Sequence, residues 1–219
     1  MRINKKKFIY LISPNNIYPQ FYQDLKKVLS CGKVGLFQMR LKKYSYEKKI
    51  VIGKKIKQIC KKNNVKFLVN DDPELSKRLN ADGCHLGQKD MNITEARKIV
   101  GNKIIGITCH NSINLAKAAI RGKANYIAFG AFFSTKTKKV KYKATIKILD
   151  KVKKLTRIPI VAIGGINISN YKKLLLNNAN LLAISGYIWN NKKYKPFETI
   201  EKLNENKCRR NKSGNAFRI

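Results

Sequence analysis

Acidic residues are scarce in this chain. Its 219 residues hold 12 Asp and Glu against 48 Lys and Arg, a formal net charge of +36. A surface so positive attracts polyanions. Yet only nine of the basic residues are Arg, and the Lys are spread along what read as solvated helix faces. A nucleic-acid reader concentrates its charge and uses the Arg fork for bidentate contacts, so nucleic acid is not the expected partner. The five cysteines are an odd number and include no CxxC pair, which argues against a disulfide framework or a structural zinc site. Reduced thiols in a cytoplasm are the plain reading. No apolar run approaches the roughly 18 residues of a membrane-spanning helix. The first one, at 8–12, is too short for a signal-peptide core. With 43% hydrophobic residues the chain is too apolar for disorder, and its length suits one well-cored domain.

What is present is a regular alternation. Short apolar runs at 8–12, 35–39, 66–69, 83–86, 103–107, 126–129, 160–163 and 181–184 read as strands buried on both faces. Amphipathic stretches lie between them, as at 46–62, 114–120 and 172–177. Asp72-Pro73 is a helix start, because Asp caps and Pro suits the first helical position. Asn92 followed by Glu95 resembles a capping box. Before 172, any of Asn167, Ser169 and Asn170 is a candidate cap. Eight strands alternating with eight helices imply parallel pairing and fit a single (β/α)₈ TIM barrel over 1–204. An open doubly wound sheet is the runner-up. It wants a glycine-rich turn after the first strand to bind a dinucleotide, and 13–18 (SPNNIY) has none. Residues 205–219 are basic and aperiodic and read as a disordered tail.

In such a barrel the active site lies at the carboxyl ends of the strands. After the second strand come Gln38, Met39, Arg40, Leu41 and Lys42. Alternation puts Gln38, Arg40 and Lys42 on one face. Turned inward, they form an anion clamp. After the third and fourth strands come Asn70-Asp71-Asp72 and, beyond His85, Asp90. In a chain this poor in acid, carboxylates on adjacent strand ends suggest one hard cation, and Mg²⁺ favours one or two carboxylates plus substrate phosphate oxygens. After the fifth comes Thr108-Cys109-His110, with Cys109 read as a buried small apolar residue. After the sixth comes a loop with Thr135, Lys136, Thr137 and Lys138. The seventh and eighth end in Gly164-Gly165 and Ser185-Gly186, where these barrels often bind phosphate through backbone N–H groups. The two histidines, His85 and His110, read as structural rather than as bases. Trp189 and the other aromatics read as core or surface. The residues alone thus describe a mouth with two anion sites, fit for two phosphorylated small molecules.

The segments resemble those of the thiamine-phosphate synthase and TenI superfamily. Residues 38–42 (QMRLK) resemble its Q-x-R-x-K, 70–71 its N-D, 82–90 (DGCHLGQKD) its D-G-x-H-L-G-Q-x-D, and 130–138 (GAFFSTKTK) its G-x-x-x-x-T-x-T-K. Residues 162–166 (AIGGI) and Ile184-Ser185 match its last two segments. The resemblance implies a transferase that joins a hydroxymethylpyrimidine diphosphate to a thiazole phosphate and releases pyrophosphate. By position it implies that the 38–42 segment, including Met39 and Leu41, binds the pyrimidine diphosphate together with Asn70 and Thr108. Asp71 and Asp90 would ligate Mg²⁺. Thr135, Lys136, Thr137, Gly165, Ile184 and Ser185 would hold the thiazole phosphate, and Lys138 the diphosphate. Arg40, Lys42 and Lys138 would stabilise the leaving charge.

The chain departs from the family pattern at Thr108, where Ser is usual, at 178–180 (NAN), where a Gly-Ala-Asp-like turn is usual, and at Gly186. The segment after Lys138 also lacks the acidic character expected there. Two rivals are a TenI-like thiazole tautomerase, which needs no diphosphate clamp, and a catalytically degenerate polyanion-binding barrel. The sequence leaves open whether the chain forms a homo-oligomer.

Overall fold

The computed structural model describes residues 7–135 and 141–208, with side chains through Leu203. The strands are β1 (Ile9–Ile12), β2 (Val34–Met39), β3 (Lys66–Asn70), β4 (Gly83–Leu86), β5 (Ile104–His110), β6 (Tyr126–Phe129), β7 (Ile160–Ile163) and β8 (Leu181–Ile184). Each is followed by a helix: α1 (Phe21–Ser30), α2 (Tyr46–Lys62), α3 (Pro73–Arg78), α4 (Ile93–Val100), α5 (Ile113–Arg121), α6 (Lys147–Lys153), α7 (Tyr171–Leu176) and α8 (Gly186–Trp189). A last helix, α9 (Pro196–Cys208), packs against α1 and α8. The strands close in chain order into one barrel, all parallel, with β8 returning to β1. This is the (β/α)₈ architecture expected from the alternation. Helix α9 runs to Cys208, four residues into the segment read as tail, and the rest of that segment lies outside the described residues.

Strand alternation sorts the apolar residues into two layers. Tyr10, Leu36, Leu68, Tyr126, Val161 and Leu181 belong to a cluster filling the lumen. Their neighbours Ile9, Leu11, Phe37, Phe67, Ile127 and Leu182 point outward and pack with the helices. A strand covered on both faces gains by being apolar at every position, which is why the runs are continuous. Helices α2 to α5 start on side-chain caps, as where Asp72 accepts from Leu75 N–H at 2.8 Å and Asn92 from Glu95 N–H at 3.0 Å. Ahead of α7 the outcome differs. Asn170 occupies the cap position but accepts from Asn167 N–H instead, which ties the β7–α7 turn.

One device recurs at the amino end of the barrel. Asp82, Asn125 and Asn180 stand just before β4, β6 and β8. Each accepts the N–H of a residue near the start of the preceding strand through its side chain: Phe67, Ile105 and Ile160, at 2.9, 2.8 and 2.9 Å. Each also donates its own N–H to that residue's carbonyl, at 2.8 Å in all three. The two bonds pin the register of the pair. Asn180, one of the departures from the resembled pattern, makes the same two backbone contacts as Asp82.

Candidate active site

The inward positions at the carboxyl ends of β2 to β5 are polar: Gln38, Asn70, His85 and Thr108. Those of β6 to β8 are Ala128, Ile163 and Ala183. Strand β5 runs three residues past the end of the apolar run, so Thr108, Cys109 and His110 are strand rather than loop. Cys109 is fully buried, with its thiol pushed up to about 12 by that burial. His110 stacks on Tyr142, ring centroids 4.2 Å apart.

The carboxylates expected to meet do meet. Asp71 follows β3 with φ of 64°, a left-handed turn that Asp tolerates. Its N–H donates to the carbonyl of His85 at 2.8 Å, which joins the ends of β3 and β4. Its carboxylate is paired with the Lys42 ammonium at 2.8 Å and hydrogen-bonded to the Asp90 carboxyl. Asp90 is anchored by Gly87 N–H, which donates to its Oδ2 at 2.6 Å. A methyl group at Gly87 would stand 3.0 Å from that oxygen. Burial raises the Asp71 carboxyl, but Lys42 and Asp90 outweigh it, and Asp71 lies below the usual carboxylate value. Asp90 is raised, by burial first and by Asp71 second. Asp90 thus gives up its proton less readily than Asp71, and a bound cation would favour the charged form of both.

This donor set suits a hard divalent ion that keeps several waters and takes substrate oxygens. Among the described residues no group of three His, Cys, Asp or Glu is placed to hold a metal, so a closed nitrogen- or sulfur-rich site has no ligands here.

Lys42 reaches this pair, and Arg40 lies against the β1–α1 loop. Arg40 directs Nη1 to Asn15 Oδ1 at 3.0 Å, and its N–H donates to Ser13 Oγ at 2.9 Å. Gln38 is buried in the lumen, where its Nε2 donates to Tyr10 Oη at 2.6 Å. Met39 and Leu41 have their side chains buried on the opposite face, as strand alternation predicts. They line a cleft shared with Lys42, Lys49, Asn70, Asp71 and Met91. The Ile184 side chain likewise packs into the outer core. A ligand in the lumen would meet Ile184 through its backbone.

On the other rim, Gly164 and Gly165 have φ of 102° and 63°. The space beside each is filled by the β6–α6 loop. A methyl at Gly164 would stand 2.3 Å from Ala131 Cβ, and one at Gly165 2.2 Å from the carbonyl oxygen of Ser134. Phe132 and Phe133 N–H donate to the carbonyls of Ile163 and Gly164, both at 3.1 Å. The glycines thus let the β7–α7 turn and the β6–α6 loop cross, with Ser134 beside Gly165. Lys136, Thr137 and Lys138 lie outside the described residues. Ser185 Oγ donates to the carbonyl of Ser13 at 3.1 Å, closing β8 onto β1.

Sequence reading missed Tyr10, Tyr126, Ser13 and Asn15. The two tyrosines sit inside apolar runs and look like core. Their lumen parity, shared with Gln38 and His85, was the available signal. His85 fits its structural reading: it is buried, both ring nitrogens are hydrogen-bonded to hydroxyls, and burial lowers its pKa to about 4.

Comparison with known proteins agrees with this arrangement. A sequence-family model described as "Thiamine monophosphate synthase" matches residues 9–188. The chain is 67% identical over 206 residues to the thiamine-phosphate synthase of Pelagibacter ubique, covering 93% of this chain and all of that one. It is 41% identical to that of Erythrobacter litoralis, over 83% of this chain and 87% of the relative. Its fold matches the thiamine phosphate pyrophosphorylase of Pyrococcus furiosus with a TM-score of 0.81 at 27% identity, over 92% and 96% of the two chains. With a family match across most of its length and relatives this similar, the chain belongs to the thiamine monophosphate synthase family.

Proposed function

We propose that this chain couples hydroxymethylpyrimidine diphosphate to a thiazole phosphate, giving thiamine phosphate and pyrophosphate. The observation that carries the reading is the Asp71–Asp90 pair, hydrogen-bonded to each other on adjacent strand ends with Lys42 on Asp71. A barrel of this family that only isomerised a thiazole would have no use for a metal-and-cation clamp.

In this reading Asp71 and Asp90 hold Mg²⁺, which neutralises charge on the diphosphate when bound. Arg40 and Lys42 bind the diphosphate, with Lys138 as a third cation. Gln38, Asn70 and Thr108 hold the pyrimidine ring. Thr135, Lys136, Thr137, Ser185 and the backbone of Gly165 and Ile184 hold the thiazole phosphate. The C–O bond to the diphosphate breaks and both electrons leave with oxygen. The resonance-stabilised pyrimidine methylene cation is then attacked by the thiazole nitrogen. No protein nucleophile is required. The cations oppose the charge that grows on the leaving group, and the two rims hold the reactants in line. The buried free thiols Cys60, Cys84 and Cys109 support a reducing cytoplasm as the site of action.

The test is incubation of purified chain with both substrates, with Mg²⁺ and then with excess chelator. Coupling that needs the metal supports the proposal. Thiazole isomerisation without coupling would assign the chain to the tautomerase branch instead.

A further inference from the structure

Beneath the mouth, five strands contribute to one continuous line of side-chain hydrogen bonds. Gln38 Nε2 on β2 is 2.6 Å from Tyr10 Oη on β1, which is 2.8 Å from Tyr126 Oη on β6. Tyr126 Oη is 2.8 Å from His85 Nδ1 on β4, and His85 Nε2 is 2.8 Å from Thr108 Oγ1 on β5. Gln38, Tyr10, Tyr126 and His85 are all buried. Tyr126 stacks on His85 with 12° between the rings and meets Tyr10 edge-on at 87°. Gly106 makes room for it: a methyl there would stand 1.8 Å from Tyr126 Cζ. A barrel that needed only to be filled would do so with phenylalanine, since a buried hydroxyl costs free energy unless it is bonded. Here two strands supply hydroxyls and a third gives up its side chain so that they can connect.

The hydrogens in this line cannot be ordered independently. Each hydroxyl carries one, and so does a neutral imidazole. With Gln38 donating to Tyr10, Tyr10 must donate to Tyr126, Tyr126 to His85 Nδ1, and His85 Nε2–H to Thr108. The Thr108 hydroxyl hydrogen and the Gln38 carbonyl oxygen are then left for the mouth. Turning the Gln38 amide over reverses every link and exchanges donor for acceptor at both ends. A protonated imidazole would leave one tyrosine hydrogen without an acceptor.

We propose that Tyr10, Tyr126 and His85 are positioning residues that lock Gln38 and Thr108 into opposite polarity, one end accepting while the other donates. The ligand this selects is a heteroaromatic ring with a donor on one edge and an acceptor on the other. That assignment rests on the pyrimidine reading of the site; the line itself does not. The observed amide orientation gives His85 the Nε2–H tautomer.

The chain has only two histidines, so ¹⁵N-histidine labelling of the full chain reads the tautomer directly, with His110→Gln assigning the signals. Ligand-free protein is expected to show a single Nε2–H form for His85. Tyr10→Phe, which removes no bond to the imidazole, is expected to populate the Nδ1–H form while the fold persists by circular dichroism. It is also expected to raise KM for the pyrimidine diphosphate at least about tenfold with KM for the thiazole phosphate unchanged. A mixed tautomer in the unmodified chain, or a tautomer unmoved by Tyr10→Phe, overturns the line. An intact tautomer response with equal effects on both KM values overturns the role in ring selection. An unmodified chain that does not couple the substrates at all overturns the functional reading, whatever the spectrum shows.

Discussion

The carboxyl ends of β2–β5 and of β6–β8 enclose the same mouth but are built from different chemistry. The first half presents an amide, a buried imidazole, a hydroxyl, paired carboxyls and two cations. The second presents small apolar side chains and two positive-φ glycines against which a neighbouring loop is packed. In the first half geometry is set by side-chain bonds between strands, in the second by backbone crossing backbone. Chemistry that must oppose growing charge therefore belongs to the first. The second is suited to holding a group in place without reacting with it.

The largest expected effects separate the halves by kind. Asp90→Ala, and separately Arg40→Ala, should lower kcat at least about 100-fold, equal to about 2.7 kcal/mol of barrier. Ser185→Ala should instead raise KM for the thiazole phosphate with kcat largely retained. Steady-state kinetics on the three variants checks this, and a kcat collapse in Ser185→Ala would erase the distinction.

The polar half should also respond to acid. His85 has its pKa lowered from 6.5 to about 4 by burial, so the unfolded chain binds its proton first. Its contribution to stability is complete above pH 6.5 and is lost as pH falls toward 4, on the order of 3 kcal/mol in all. Urea midpoints across that range should fall with pH, and His85→Gln should flatten the slope in that window.

Packing gives a smaller contrast. Gly106→Ala should destabilise by about 1–3 kcal/mol through overpacking against Tyr126, and Tyr126→Ala in the same chain should relieve the overpacking part of that effect. The smallest effects belong to the amino end, away from both halves. Asp82→Ala and Asn180→Ala should each cost about 1 kcal/mol with activity intact, measured by thermal or urea unfolding.

The barrel was legible because each strand is apolar on both faces and each helix is striped. The Asp71–Asp90 pair was legible because acid is so rare in this chain that the two stand out. What escaped reading depended on partners far away in sequence. Tyr10 and Tyr126 are 116 residues apart and look like core until the closed barrel brings their hydroxyls together. Ile184 lies within a matching motif, yet strand parity turns its side chain to the helices. Thr108 to His110 looked like loop because polar residues end an apolar run, whereas strand β5 continues inward where the mouth needs polarity.

The most direct measurement is a crystal of the chain soaked with Mn²⁺ and pyrophosphate, read by the anomalous signal of the metal. The account predicts one peak shared by the Asp71 and Asp90 carboxylates, with the diphosphate on Arg40 and Lys42. A metal bound elsewhere, or a diphosphate seated on the Gly164-Gly165 turn instead, would contradict it.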